Sequence, residues 1–152
     1  MPKRQIRYAV VGLGHIAQVA VLPAFANARR NSRLAALVSA DAVKRKQLSQ
    51  KYGVERSFTY EEYETCLKSV DAVYIALPNH LHCDYAVRAA RAGVHVLVEK
   101  PMALTEEECE RMIHAAREAG IKLMVAYRLH FERANLEAGE IARSGRMGEP
   151  RL

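Results

Sequence analysis

The chain has no tryptophan, three phenylalanines, three cysteines and five prolines among its 152 residues. Each shortage removes a class of protein. Cys66, Cys83 and Cys109 are odd in number, widely spaced and form no CxxC pair, which argues against a disulfide framework or a zinc site. They read as buried or neutral thiols, and no metal is expected. No apolar run approaches the ~20 residues needed to cross a bilayer. The opening "MPKRQIRYAV" is basic, but its apolar run meets a glycine pair too soon for the core of a signal peptide. The expectation is a cytoplasmic protein with no membrane partner. Lysine plus arginine exceed aspartate plus glutamate by 23 − 17 = 6. The surplus is spread out, and no helix interleaves basic with aromatic residues, so nucleic acid is not the expected partner. Short runs such as "VKRK" suit a phosphorylated small molecule better.

What remains has a globular balance, 50% hydrophobic and 26% charged. A chain of this length buries roughly 70% of its unfolded surface. Apolar runs recur at 6–11, 34–38, 71–76, 94–98 and 122–126, with a weaker candidate at 54–58. They are continuous rather than alternating, as expected of strands covered on both faces in a parallel sheet. Helical patterns fill the gaps. In "TEEECERMIHAAREAG", Thr105 and Glu108 have capping-box spacing, Cys109, Met112, Ile113 and Ala116 share one face, and Gly120 ends the helix. Asn79 is placed to cap a helix that runs to 92 and stops at Gly93. Strand–helix–strand alternation at this spacing predicts an α/β fold with a doubly wound parallel sheet, and ligands beyond the carboxyl ends of its strands. After 126 the pattern becomes a loop and one helix with a stripe of Phe131, Ala134, Ala138 and Ile141, and Pro150 marks the expected start of a further element.

The most informative stretch is "YAVVGLGHIA". Gly12, Gly14 and Ala17 form a GxGxxA pattern between the first strand and the first helix. Gly12 permits a tight turn, Gly14 lets a phosphate approach the backbone, and Ala17 lets helix and strand pack closely. The free N–H groups of the helix then face an anion. In this context the pattern predicts dinucleotide binding. Many NAD sites place a carboxylate at the end of the second strand. Here "LVSADAVKRK" puts Ser39 and Ala40 first and Asp41 late, followed by Lys44, Arg45 and Lys46. A hydroxyl and cations suit the 2′-phosphate of NADP, with NAD as the alternative. The competing reading is that Asp41 caps the next helix and the cations form a solvated face. Lys100 falls at a strand's carboxyl end between Glu99 and a proline, where an ammonium can polarise a substrate hydroxyl. Its bland alternative is a solvent-facing lysine.

Two further stretches, "ALPNHLH" (76–82) and "EKP" (99–101), together with the glycine turn and "YR" at 127–128, resemble the Gfo/Idh/MocA family. These are NAD(P)-dependent oxidoreductases related to glucose-fructose oxidoreductase and inositol dehydrogenase. The resemblance covers essentially the whole chain. It implies a Rossmann domain over 1–126, with 127–152 a linker helix into a substrate and oligomerisation domain that this chain lacks. It further implies that Gly12, Leu13, Gly14, His15 and Ile16 line a pyrophosphate and that Ser39, Lys44 and Arg45 serve the 2′-phosphate end. Leu77, Pro78, Asn79 and His82 would pass along the ribose and nicotinamide. Glu99, Lys100 and Arg128 would lie beside the nicotinamide, with Lys100 catalytic. By the same resemblance the substrate is a sugar, a cyclitol or a derivative, and the full-length protein is a homo-oligomer. The chain alone is expected to be inactive. The alternatives are a non-catalytic NAD(P)-binding regulatory module and a biliverdin-reductase-like enzyme. His80 and His82 are two apart at a helix start and do not share a face, so they are not read as a metal pair. Tyr127 and His130 are read either as nicotinamide neighbours or as packing at the domain junction.

Overall fold

A computed structural model describes residues 4–148. The expectation attached to Pro150 lies outside the described residues. Six strands, β1 (Ile6–Val11), β2 (Ser32–Val38), β3 (Arg56–Phe58), β4 (Ala72–Ile75), β5 (His95–Val98) and β6 (Leu123–Val125), form one sheet in the order β3-β2-β1-β4-β5-β6. Every neighbouring pair is parallel. The chain first winds outward from β1 through β2 to β3. It then returns to the other side of β1 and winds outward again through β4, β5 and β6. The strand order therefore switches between β1 and β4.

The continuous apolar runs form strands because both faces of the sheet are covered. On one face Ala9, Val11, Ala36, Val38, Val73, Ile75, Val96 and Val98 pack with residues of α3 (Tyr63–Leu67), α4 (His82–Arg91) and α5 (Glu106–Glu118). On the other face Val10 and Leu37 meet the helical segment 15–24, whose π-type stretch Ala17–Val21 leads into α1 (Leu22–Ala24), and Leu48 of α2 (Ala42–Tyr52). Val10 and Val11 are both fully buried although they point in opposite directions. Cys66 and Cys83 are buried free thiols, and burial pushes the Cys66 thiol up to about 12.

The α5 cap forms as its spacing predicts. Thr105 Oγ1 accepts from the Glu108 N–H at 3.2 Å. The Glu108 carboxylate reaches one residue further back than in the usual box, accepting from the Leu104 N–H at 2.9 Å. The expectation for Asn79 is corrected. Residues Asn79–Leu81 make a single 3-10 turn, α4 begins at His82, and no side chain caps it. The stripe expected after 126 is also revised. Phe131 ends a separate turn, Arg128–Phe131, and α6 (Arg133–Arg143) contains no buried residue. Leu136 and Ile141 on it are exposed.

Candidate functional site

At the carboxyl end of β1 the chain must turn between two neighbours. The Gly12 N–H donates to the Val38 carbonyl at 2.9 Å, while the Ala76 N–H donates to the Val11 carbonyl at 2.8 Å. Gly12 has φ +92, and a Cβ there would lie 2.6 Å from the Ala76 carbonyl oxygen. Only glycine fits both the backbone angle and the approach of β4. Gly14 differs. It lacks this constraint, is exposed, and a Cβ on it would meet nothing within 4 Å. The fold does not require glycine at 14; an approaching ligand would. Helix 15–24 starts directly after it, so its first N–H groups face outward. Leu13 contributes only backbone, because its side chain is buried in the core. His15 is exposed, and Ile16 lines the cleft described below.

At the end of β2, Ser39 is buried and its Oγ accepts from the Asp41 N–H at 3.2 Å. Asp41 caps α2, accepting from the Lys44 N–H at 2.9 Å, and pairs with the Lys44 ammonium at 3.2 Å. The Lys44 contacts hold the Asp41 carboxyl below its usual range. Arg45 turns back to donate to the Ser39 carbonyl. The capping reading of Asp41 is therefore the one the fold adopts. Ser39, Lys44 and Arg45 nonetheless share this strand end.

Beyond β4 and β5 lies a cleft of about 890 Å³. Ile16, Leu77, Asn79, Glu99, Lys100 and Arg128 line it, together with Tyr127, Leu129 and Phe131. The geometry thus gathers residues from four separate stretches of the sequence. Pro78 and Asn79 are exposed at its rim. Lys100 is exposed, and the bond to Pro101 is cis. No carboxylate lies within 4.0 Å of the nitrogens of Lys100 or Arg128 among the described residues.

His82 does not join that lining. It is fully buried, with Nδ1 2.8 Å from the Pro101 carbonyl and Nε2 2.9 Å from the Leu77 carbonyl. Its ring ties the loop after β4 to the loop after β5 from behind, so in this fold it supports the cleft rather than facing a ligand. His80 is exposed, and no group of three or more possible metal ligands occurs among the described residues.

Tyr74 escaped the sequence reading. Its hydroxyl donates to Glu99 Oε1 at 2.7 Å. The available signal was a tyrosine inside an otherwise apolar strand, since a buried phenol needs a polar partner.

Residues 6–127 match an oxidoreductase family with an NAD-binding Rossmann fold. The chain is 37% identical over 148 residues to a D-xylose 1-dehydrogenase [NADP(+)] of Haloarcula marismortui, covering 95% of this chain and 41% of that protein. Among solved structures it resembles an aldose-aldose oxidoreductase of Caulobacter crescentus complexed with glycerol. There the TM-score is 0.89 and the identity 44%, over 93% of this chain and 43% of that one. It also resembles a mutant 3-ketoreductase of Actinomadura kijaniata in complex with TDP-benzene and NADP, with TM-score 0.87 and 32% identity, over 97% and 46% of the two chains. The chain thus spans less than half the length of these relatives. The strand order, the glycine turn at the switch and the match across 6–127 lead to one conclusion: the chain belongs to the Gfo/Idh/MocA oxidoreductase family, of which it carries the NAD-binding Rossmann domain.

Proposed function

We propose that this chain binds NADP across the β1/β4 switch and forms the cofactor half of an enzyme that oxidises or reduces a secondary alcohol carbon of a sugar, a cyclitol or a derivative. One observation carries the reading. Gly14 has open space where a side chain would stand, directly before outward-facing helix amides, and the same edge of the sheet holds Lys100.

The pyrophosphate would lie on the backbone of Gly12–Ile16, where the helix dipole favours negative charge. The 2′-phosphate would meet Lys44, Arg45 and the Ser39 strand end. Asp41 counts less against a phosphate than its charge implies, because Lys44 already matches it. The two NADP-linked relatives named above support NADP over NAD. Leu77, Pro78 and Asn79 would flank the ribose and nicotinamide, with Glu99 and Arg128 beside the ring. When bound, the nicotinamide supplies the hydride acceptor or donor. The Lys100 ammonium then stabilises negative charge that develops on the substrate oxygen, and it can do so because no carboxylate neutralises it. We place the acid/base partner, the rest of the substrate site and the homo-oligomer contacts in the portion of the relatives that this chain does not span.

Calorimetric titration of the folded chain with NADP and NAD tests the binding step. One dinucleotide per chain is expected, with NADP tighter; uptake of neither overturns the proposal. In the complete enzyme, Lys100→Ala is expected to leave dinucleotide affinity within about twofold and to slow single-turnover hydride transfer by ~100-fold or more. An unchanged single-turnover rate removes Lys100 from the chemistry.

A further inference from the structure

We propose that Tyr74 is a positioning residue that holds the Glu99 carboxylate away from Lys100 and so keeps the ammonium unpaired. The inference rests on the dinucleotide and hydride-transfer reading above.

Tyr74 lies on β4, half-buried, on the sheet face opposite Val73 and Ile75. With Tyr8, Phe25, Leu97 and Met124 it walls a cavity of about 340 Å³. Ser32, Glu99, Tyr127 and Arg128 are the further polar members of its lining, and the one hydrogen bond the Tyr74 phenol makes among the described residues goes to Glu99 Oε1 at 2.7 Å. The length is that of a well-formed O–H···O hydrogen bond. Burial first, and the Glu99 bond second, raise the phenol well above the ordinary tyrosine value, so it stays a donor; the Arg128 charge acts weakly in the other direction.

Glu99 and Arg128 line both cavities, the one beside Tyr74 and the cleft, whereas Lys100 lines the cleft alone. Glu99 is the acidic residue next to Lys100 in the chain, yet no ion pair joins the two within 4.0 Å. The Tyr74 bond is the only side-chain hydrogen bond that Glu99 makes among the described residues. Without it, a half-buried carboxylate has lost its donor, and the cations Lys100 and Arg128 line the same cleft. A bare carboxylate costs free energy, so it would turn toward them. Lys100 paired in this way would stabilise developing charge on a substrate oxygen less well.

The test uses the complete enzyme with NADP and its alcohol substrate. Tyr74→Phe is expected to lower kcat about tenfold while leaving the substrate KM and the dinucleotide Kd within about twofold, because it weakens charge stabilisation rather than binding. Glu99→Gln probes the same link from the other side without disturbing the apolar wall. If the phenol acts through the carboxylate, Tyr74→Phe combined with Glu99→Gln is no slower than Glu99→Gln alone. Full additivity of the two losses overturns the inference, as does a Tyr74→Phe enzyme with parental kcat, or one whose loss falls entirely in KM. If Tyr74→Phe does not fold, Tyr74→Met removes the same donor from the apolar wall: a kcat loss at unchanged KM supports the inference, and a parental kcat overturns it. A parent protein that takes up no dinucleotide overturns this inference together with the reading beneath it. A parent that binds and turns over, beside an unaffected Tyr74→Phe, overturns this inference alone.

Discussion

The two edges of the sheet treat their polar groups in opposite ways. At the amino edge, Asp71 accepts from the Arg7 backbone N–H at 2.8 Å, from Arg7 Nε at 3.0 Å and Nη2 at 2.8 Å, and from Arg4 at 2.8 Å. The Asp71 charge is matched by Arg7 and Arg4, and this cluster fastens β1 to β4 at the bottom of the switch. At the carboxyl edge the same two strands part around Gly12, the helix amides after Gly14 face outward, and Lys100 and Arg128 have no carboxylate partner within 4.0 Å among the described residues. A closed edge holds the strands in place, so the open edge can leave its donors for a ligand. The difference teaches that one strand pair can be clamped at one end and left open at the other, and the proposed ligand takes the open end.

The comparison can be broken most severely at its pivot. Gly12→Ala should destabilise the chain by ~3 kcal/mol or more, since it adds a left-handed backbone penalty to a clash with the Ala76 carbonyl. Chemical denaturation of the two chains checks it, and equal midpoints would mean that β4 yields easily. Gly14→Val separates fold from binding on the same turn. Stability should hold within about 1 kcal/mol, because the Cβ meets nothing, while dinucleotide affinity falls ~100-fold, equivalent to ~2.7 kcal/mol. A loss of stability with affinity intact would reverse the assignment of the two glycines.

At the closed edge, Asp71→Asn should cost about 2 kcal/mol of stability and leave dinucleotide affinity unchanged. The Arg7 guanidinium and N–H hold the Asp71 carboxyl well below the usual carboxylate range. The folded value is depressed, so the stability this group contributes is fully present above its ordinary value near ~4 and drains away as pH falls below that. The difference in stability between parent and Asp71→Asn should therefore shrink toward acid and stay constant at neutral pH. Growth of that difference toward acid would contradict the clamp. The smallest effect is at the start of α2, beyond β2. Lys44→Ala should weaken NADP about fivefold and NAD less than twofold, ~1 kcal/mol of discrimination at a half-exposed cation. Equal losses would return Lys44 to the solvated face of α2.

Much of this was legible in the sequence, for reasons that differ by residue. All six strands stand where their apolar runs predict; β1, β2, β4 and β5 do so because a strand covered on both faces has few ways to hide its identity, whereas the edge strands β3 and β6 carry no buried residue. The Thr105 cap and the glycine stops at Gly93 and Gly120, with φ +73 and +64, are local events written within a few residues. Asn79 shows the limit of that logic. Its residue type suits a cap, but the chain spends Asn79–Leu81 on a 3-10 turn and opens α4 without one. His82 looked like a ligand contact by its place in "NHLH"; its burial between the Leu77 and Pro101 carbonyls depends on a loop 19 residues away. The Tyr74–Glu99 bond crosses 25 residues, and the Asp71–Arg7 clamp crosses 64.

The sequence by itself determined the order of elements, the glycine turn and the edge at which chemistry gathers, since each follows from periodicity, turn requirements and the direction of parallel strands. Tertiary structure alone decided which polar groups are already satisfied. Whether Glu99 faces a phenol, Asp41 a helix start, or Lys100 no carboxylate within 4.0 Å among the described residues depends on distances between strands that no local pattern encodes, because electrostatics and hydrogen bonding act through space and fade within a few ångströms.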